Sequence, residues 1–287
     1  MGIVELLERA KTHPKKVFAI LPDGENMTYG NLVSCVNKLS LIFHRLGLKV
    51  NDKIVLSTND KRSLIEIMIA AYRCGLTVIL TDPNAKADRI HTIIASAKPD
   101  AYFIDKELTE AWRLKESNII EIKKSNPVTK SIFKNIFFKA NSVKENREML
   151  ENTYPACIYP LEDVGPKYPA TIDPSCVAYM MYTSGSTSDP KGVMISHKNL
   201  FSHLETLKNV YGFNSDTRIL NVLNLYHTDG VNQGPMLALY SDGTLISPFK
   251  LDTARLDLIY YGIYKYQVTH AFVVPTLLSF FEKYHEN

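Results

Sequence analysis

Apolar strands and amphipathic helices alternate along this chain in two runs, and that order leaves few folds open. Strands separated by helices form parallel sheets whose faces the helices cover. We therefore predict two similar, mostly parallel sheets packed with helices, an α/β fold in αβαβα layers. The first run is interpreted as strand 54–57, helix 63–74, strand 77–80, helix 87–97 and strand 101–104. The second is interpreted as strand 218–225, helix 231–240, strand 244–246, helix 253–264 and strand 268–274, after which Pro275 opens a last helix.

With 287 residues, the chain is long enough for one large core or two smaller ones. We expect one subdomain at about 52–207, interrupted by an irregular, proline-broken insertion at 116–168, and a second formed by about 1–50 and 208–287. The junction of the two subdomains is the expected place of a ligand cleft.

The charge and cysteine content exclude several classes of function. With 33 basic and 30 acidic residues the net charge is only +3, which is too balanced for a nucleic-acid or anionic-membrane surface. The 4 cysteines form no C-x-x-C pair, as is typical of reduced thiols and not of a disulfide frame or a zinc site. The most apolar stretch, 64–80, contains Glu66 and Arg73 and is too short to span a bilayer. We predict a cytoplasmic protein with no integral membrane segment and no nucleic-acid partner.

A hydroxyl-rich loop, closed by one lysine, lies between two apolar stretches at 177–182 and 193–195 that are interpreted as strands. Its hydroxyl groups and the backbone N–H groups exposed at Gly185 offer neutral donors to phosphate oxygens, and Lys191 adds a mobile positive charge. The pattern predicts a site for the phosphates of a nucleoside triphosphate. The hydroxyl residues are Thr183, Ser184, Ser186, Thr187 and Ser188.

Two other interpretations of this loop compete with that prediction. A Walker phosphate loop needs glycine before its lysine and Ser or Thr after it, whereas this chain has Pro190 and Gly192 at those positions. The Walker loop also joins a strand to a helix, and here a second strand is predicted instead. The loop sequence alone also allows a Ser/Thr-rich surface hairpin that binds no ligand. Motifs elsewhere in the chain are needed to distinguish the two interpretations.

The loop 183–193 resembles the phosphate-loop signature of the adenylate-forming superfamily, which includes acyl-CoA synthetases, firefly luciferase and the adenylation domains of peptide synthetases. Other segments are similar to elements of that superfamily and follow in the same order. They are 27–32, 71–75 with 81–83, 225–230, and 268–270 with 274–276. The resemblance runs nearly end to end and implies the N-terminal lobe of an adenylate-forming enzyme.

The resemblance implies ATP-dependent chemistry in two steps. A carboxylate attacks the α-phosphate of ATP to give an acyl adenylate and pyrophosphate, and a thiol of coenzyme A or of a carrier protein then takes the acyl group. Lys191 would neutralise the pyrophosphate charge and Gly185 would form the turn, while Mg²⁺ would be held by a ligand outside this chain. Ser188 stands where the superfamily usually has glycine, so we expect the loop to lie differently there. The hydroxyl donors would be Thr183, Ser184, Ser186 and Thr187.

His227 lies in the segment that the resemblance implies to line the acid pocket, although a lone histidine at a strand end is also often structural. Amino-acid-activating members typically carry aspartate at this place, where it pairs with the α-ammonium group. Histidine offers no such counter-charge, so the resemblance implies an acyl or aryl carboxylic acid without an amino group. Asp229 and Gly230 are expected to shape the same wall, with helix capping as the alternative for Asp229. His197 is expected to do no more than start a helix.

The later motifs of the superfamily, among them the catalytic lysine and the adenine contacts, are expected downstream of Thr276. We therefore expect an N-terminal fragment without the C-terminal domain, inactive by itself, whose catalytic residues are unknown. Two alternatives to an acid:thiol ligase stay open. One is a catalytically incomplete nucleotide- or partner-binding module of the same fold, and the other is a phosphotransferase that shares only the loop.

Overall fold

The computed structural model describes residues 1–22, 26–116, 118–123, 153–155, 158, 161, 167–183, 191–248, 256–275 and 278–279. These residues belong to two compact units, one formed by 1–32 with 199–287 and the other by 33–198. Within the described residues the first unit contains a five-stranded sheet and the second a seven-stranded sheet. The subdomain limits expected from the sequence stay a prediction.

The described elements follow one another along the chain. They are α1 (Ile3–Ala10), β1 (Val17–Ile20), β2 (Asn26–Thr28), α2 (Tyr29–Arg45), β3 (Lys53–Ser57), α3 (Lys61–Cys74), β4 (Thr77–Leu80), α4 (Ala87–Ala97), β5 (Ala101–Asp105), α5 (Lys106–Ala111), β6 (Ile119–Ile122), β7 (Thr153–Tyr154), β8 (Val177–Thr183), β9 (Lys191–Ser196), α6 (His197–Tyr211), β10 (Arg218–Asn221), α7 (Thr228–Val231), a π-helical turn (Asn232–Met236), α8 (Leu237–Ser241), β11 (Thr244–Ile246), α9 (Leu256–Lys265) and β12 (His270–Phe272).

The sheet of the first unit has the strand order β12-β10-β11-β1-β2. Its pairs are parallel except for the edge pair β1 and β2, which is antiparallel. Leu220 and Ile246 of adjacent strands pack with Val222 and with Ile259 of α9 in one buried cluster. Burial of this apolar surface attaches α9 to the sheet.

The sheet of the second unit has the strand order β7-β6-β5-β3-β4-β8-β9. Its pairs are parallel apart from β8 and β9, which are antiparallel. Every residue of β4 and β5 is buried, as is typical of parallel strands covered on both faces. On one face Val55, Ile79 and Tyr102 pack with Trp112, which follows α5. The two mostly parallel sheets predicted from the sequence are therefore confirmed.

Side chains and glycines with typical capping roles mark the ends of two helices. The Thr28 hydroxyl accepts a hydrogen bond from the Asn31 backbone N–H at 3.1 Å, which caps the start of α2. Gly47 follows the end of that helix with φ +74°, and Gly75 follows α3 with φ +72°. Glycine adopts this left-handed conformation without the steric penalty that a Cβ atom brings, so both glycines are suited to end their helices.

Four sequence predictions of local structure need correction. The strand expected at 218–225 ends at Asn221, and the strand expected at 268–274 is limited to His270–Phe272. The helix expected at 231–240 is divided, because Gly234 has non-helical angles (φ −102°, ψ −107°) and Pro235 follows it. Within the stretch 116–168, expected to be irregular, β6 and β7 continue the sheet. Among the described helices, none is both long and apolar enough to cross a membrane.

Candidate functional site

Strands β8 and β9 form an antiparallel hairpin whose last pair is Thr183 with Lys191. The seven residues between them, 184–190, lie outside the described residues, and with them the predicted phosphate-binding residues of the loop. The order strand, loop, strand is confirmed, and it excludes a Walker loop, which joins a strand to a helix. The predicted site residues that lie outside the described ranges are Ser184, Gly185, Ser186, Thr187 and Ser188.

Lys191 is exposed at the end of the loop, opposite the last residue of β8. The antiparallel register pairs Thr183 with Lys191, so a cation starts the second strand opposite the end of the first. An exposed ammonium group beside a loop of hydroxyl and backbone donors suits a polyanion such as the phosphates of ATP. The nucleotide phosphate site itself stays a prediction.

The stem of the loop is held at Tyr182. Its carbonyl oxygen accepts a hydrogen bond from Nη2 of Arg89 on α4 at 3.2 Å, and its hydroxyl donates to Oγ of Ser96 on the same helix at 3.4 Å. Across the hairpin, a Cβ atom on Gly192 would lie 3.0 Å from Cζ of Tyr182. Glycine at this position therefore allows the tyrosine ring to lie against the partner strand. Sequence reasoning did not single out Arg89, since an exposed arginine on a helix has no distinctive pattern.

The second group of predicted site residues lies in the first unit, around the short helix α7. His227 is the N-cap residue of α7 with extended backbone angles, and its side chain is exposed beside the ring of Tyr226, at 4.7 Å between centroids. Asp229 is exposed in the first turn, where a carboxylate also interacts favourably with the helix dipole. Gly230 is buried one residue later. His227 and Asp229 are therefore available to a ligand, while Gly230 serves the packing.

The structure thus groups the described site residues in two sets. Thr183 and Lys191 are paired in the unit 33–198, and His227, Asp229 and Gly230 share one turn in the other unit. Among the described residues, no cluster of three His, Cys, Asp or Glu side chains is placed to hold a metal ion.

His197 is the first residue of α6, as the sequence predicts, and it is only 3% exposed. Its ring meets the ring of Tyr72 edge-on, with 5.8 Å between centroids. Removal from water disfavours the imidazolium form and lowers the pKa of His197 from 6.5 to about 4. This histidine belongs to the buried core and is not a ligand-facing group.

The buried His197 predicts an acid-sensitive stability. Because its folded-state pKa lies below its unfolded value of 6.5, the unfolded chain binds the proton first, and stability falls as pH drops from 6.5 towards about 4. The free energy of unfolding has fallen by about 3 kcal/mol once the pH is below the folded-state pKa of His197. Urea unfolding across this pH range should show the loss in the wild type and a flatter profile in His197→Gln. His203→Gln, which changes an exposed histidine on the same helix, should keep the wild-type profile. Equal stability profiles for the two variants would show that His197 is not the source of the acid sensitivity.

A family model described as "AMP-binding enzyme" matches residues 6–287. The chain belongs to the AMP-binding enzyme family. This AMP-binding chain therefore carries the fold that the sequence resemblance implied.

Curated relatives and a solved structure agree with the family. The chain is 28% identical over 272 residues to "Nonribosomal peptide synthetase ungA" of Aspergillus violaceofuscus (strain CBS 115571), covering 94% of the chain and 2% of the synthetase. It is 36% identical over 102 residues to "Medium-chain-fatty-acid--[acyl-carrier-protein] ligase JamA" of Moorena producens (strain JHB), covering 35% of the chain and 17% of the ligase. The anthranilate CoA ligase AuaEII, solved with anthranoyl-AMP, superposes with a TM-score of 0.76 at 17% identity, over 96% of this chain and 50% of that one.

These coverages show that the AMP-binding chain spans a small part of both curated relatives and half of the solved ligase. At 17% identity the structural likeness establishes the fold alone.

Proposed function

We propose that this chain binds ATP and a carboxylic acid for a reaction in which the carboxylate is activated as an acyl adenylate. The carboxylate oxygen attacks the α-phosphorus of ATP. The bond between the α-phosphorus and the oxygen that bridges to the β-phosphate breaks, and pyrophosphate leaves with that oxygen. The observation that carries the proposal is the β8–β9 hairpin, which places exposed Lys191 at the end of the hydroxyl-rich loop in a chain of the AMP-binding enzyme family.

The role of the loop follows from where charge develops in this reaction. Negative charge grows on the leaving pyrophosphate, and donors that already point at it stabilise the transition state without reorganising. Lys191 supplies the positive charge, and Gly185 is proposed for the turn because glycine permits the backbone angles that a tight turn needs. Mg²⁺ would shield the same phosphates, with its ligand outside the described residues. Neutral hydroxyl donors come from Thr183, Ser184, Ser186, Thr187 and Ser188.

His227 supports an acid that lacks an α-amino group. Its exposed imidazole lies in the segment that resembles the acid-binding segment of the superfamily, where an aspartate would pair with an ammonium group. Exposed Asp229 lies in the first turn of α7, where its carboxylate interacts favourably with the helix start. Acyl and aryl acids are therefore the proposed substrates, in line with the names of JamA, a medium-chain fatty acid ligase, and AuaEII, an anthranilate ligase.

The second step is proposed to be transfer of the acyl group to a thiol. JamA is named as a ligase that uses an acyl carrier protein and AuaEII as a coenzyme A ligase, so both acceptors are represented among similar proteins. Among the described residues, Cys35, Cys74 and Cys176 form no disulfide, which fits a reducing compartment such as the cytoplasm. The acceptor of this chain is tested by supplying each thiol to a preformed acyl adenylate and following AMP release.

A catalytically incomplete binding module of the same fold is the second candidate. It is favoured by Ser188, which replaces a glycine of the phosphate loop and brings a Cβ atom where a positive φ would be strained. Such a module would bind ATP without forming pyrophosphate. Calorimetric titration with Mg·ATP, with pyrophosphate as competitor, tests binding. ATP–pyrophosphate exchange by the complete gene product then separates ligase from module.

The acid preference gives a direct prediction. In a hydroxamate assay with the complete gene product, hexanoic acid should be activated and its α-amino counterpart norleucine should not, and phenylpropanoic acid should be favoured over phenylalanine. His227→Asp should reduce the difference in activation between each acid and its α-amino counterpart. The introduced carboxylate would stabilise the ammonium group of the amino acid and repel the carboxylate of either substrate. His203→Asp, at an exposed position on α6, should leave the preference unchanged. A wild type that prefers the amino acids would overturn the substrate class.

A further inference from the structure

Asn221, the last residue of β10, is buried within the turn that carries His227. Only 2% of its surface is exposed, and asparagine is uncommon in a strand. Its Nδ2 donates to the carbonyl oxygen of Gly230 at 2.6 Å, and its Oδ1 accepts from the backbone N–H of Leu223 at 2.8 Å. One amide side chain therefore joins the two ends of the segment 223–230.

Segment 223–230 is folded tightly between those two hydrogen bonds. The backbone N–H of His227 donates to the carbonyl oxygen of Asn224 at 3.1 Å. A Cβ atom on Gly230 would lie only 2.0 Å from that same oxygen of Asn224. The backbone at Gly230 is therefore packed directly against the backbone at Asn224. Little room is left for the segment to move without a change at Asn221.

The π-helical turn that follows is shaped by the same amide. A Cβ atom on Gly234 would lie 1.9 Å from Nδ2 of Asn221, so the amide occupies the place of a side chain on this glycine. π-Helical turns occur often at functional sites, because the extra residue re-aims the elements beside it. The β10 strand is meanwhile fixed independently, since Oγ of Ser247 donates to the carbonyl oxygen of Asn221 at 2.6 Å.

We propose that Asn221 is the positioning residue of the acid-binding turn: its amide sets where His227 lies relative to the strand and thereby which carboxylic acid is accepted. This inference rests on the proposed function of His227. Asn221 does not touch the acid; it acts through Gly230 and Leu223. Its strand stays anchored through Ser247 when the side chain changes, so the effect concentrates on the turn.

Two variants test the proposal in the complete gene product. Asn221→Asp keeps the shape and the acceptor for Leu223, but in its ionised form it places an oxygen that cannot donate against the Gly230 carbonyl. Asn221→Ala removes the amide without adding charge and is the second choice if the aspartate variant fails to fold. For either, kcat/KM for the acid should fall by about 100-fold with an altered ranking of acids, while KM for ATP stays at the wild-type value.

The matched control is Asn37→Ala in the other unit. Asn37 is also a buried asparagine, and its Oδ1 accepts from the hydroxyl of Tyr168 at 2.7 Å. This variant should lose thermal stability without changing the ranking of acids. Wild-type acid kinetics in both Asn221 variants, or the same loss in Asn37→Ala, would overturn the proposal.

Hydrogen exchange separates this inference from the proposed function. Backbone amides of 223–231 should exchange faster in Asn221→Asp than in the wild type, whether or not any acid is activated. If the wild type activates no acid but the exchange changes as expected, the proposed function fails and the positioning role in the turn stands. Unchanged exchange in this segment refutes the positioning role on its own.

Discussion

Replacement of Lys191 by methionine is expected to lower the rate of ATP-dependent acid activation by about 10³-fold. Lys191 is exposed at the end of the β8–β9 loop, where its ammonium group is proposed to neutralise charge that develops on pyrophosphate. Methionine retains a long, unbranched side chain but carries no charge, so the hairpin should keep its register. ATP–pyrophosphate exchange by the complete gene product at saturating acid measures the loss.

Two further variants locate the effect in the charge at this position. Lys191→Arg should recover part of the rate, because a guanidinium restores the charge with a different donor geometry. Lys198→Met removes the same charge from an exposed position near the start of α6 and should retain the wild-type rate. An equal loss of rate in Lys198→Met would show that general electrostatic attraction of ATP accounts for the effect, and that Lys191 has no specific contact with the phosphates.

Gly230→Ala is expected to destabilise the protein by about 3 kcal/mol. The added Cβ atom would lie 2.0 Å from the carbonyl oxygen and 2.6 Å from the carbonyl carbon of Asn224. Both are backbone atoms, so no rotation of a side chain relieves the clash, and the turn that carries His227 has to open. The melting temperature should fall by roughly 6–12 °C, with loss of acid activation at temperatures where the variant is still folded.

Gly47→Ala is the control for Gly230→Ala. Gly47 has φ +74°, and no heavy atom lies within 4 Å of the place that a Cβ atom would take, so alanine there meets only the strain of a left-handed conformation. The expected cost is about 1 kcal/mol, with acid activation unchanged. A Gly230→Ala variant that is no less stable than Gly47→Ala would show that the turn yields easily and does not hold His227 in place.

Much of the fold could be predicted because its signals are local. Alternating strands and helices demand parallel sheets, and Gly47 and Gly75 mark helix ends through a conformation that other residues rarely adopt. The same holds for the hairpin, since the apolar stretches on both sides of the hydroxyl-rich loop pair in one antiparallel register. The positions of the hydroxyl groups and of Lys191 in that loop could likewise be read from the sequence.

The misjudged elements are those in which a distant group decides the outcome. The strand at Arg218 stops at Asn221 because the asparagine side chain turns to Gly230 and Leu223, which a pattern of apolar residues does not reveal. The divided helix at 231–240 likewise depends on Gly234 lying against that amide. Arg89 gained its place at the loop stem only through the pairing of β4 with β8, which brings α4 beside Tyr182.

Side-chain types and short spacings in the sequence determined the family, the two mostly parallel sheets and the hydroxyl-rich character of the segment before Lys191. Tertiary structure alone decided that Lys191 faces Thr183, that His227 is exposed at the start of a helix, and that His197 is buried with a lowered pKa. The physical reason is that exposure, close backbone approach and pKa depend on atoms far apart in the chain, which only the folded chain brings within a few ångströms of one another.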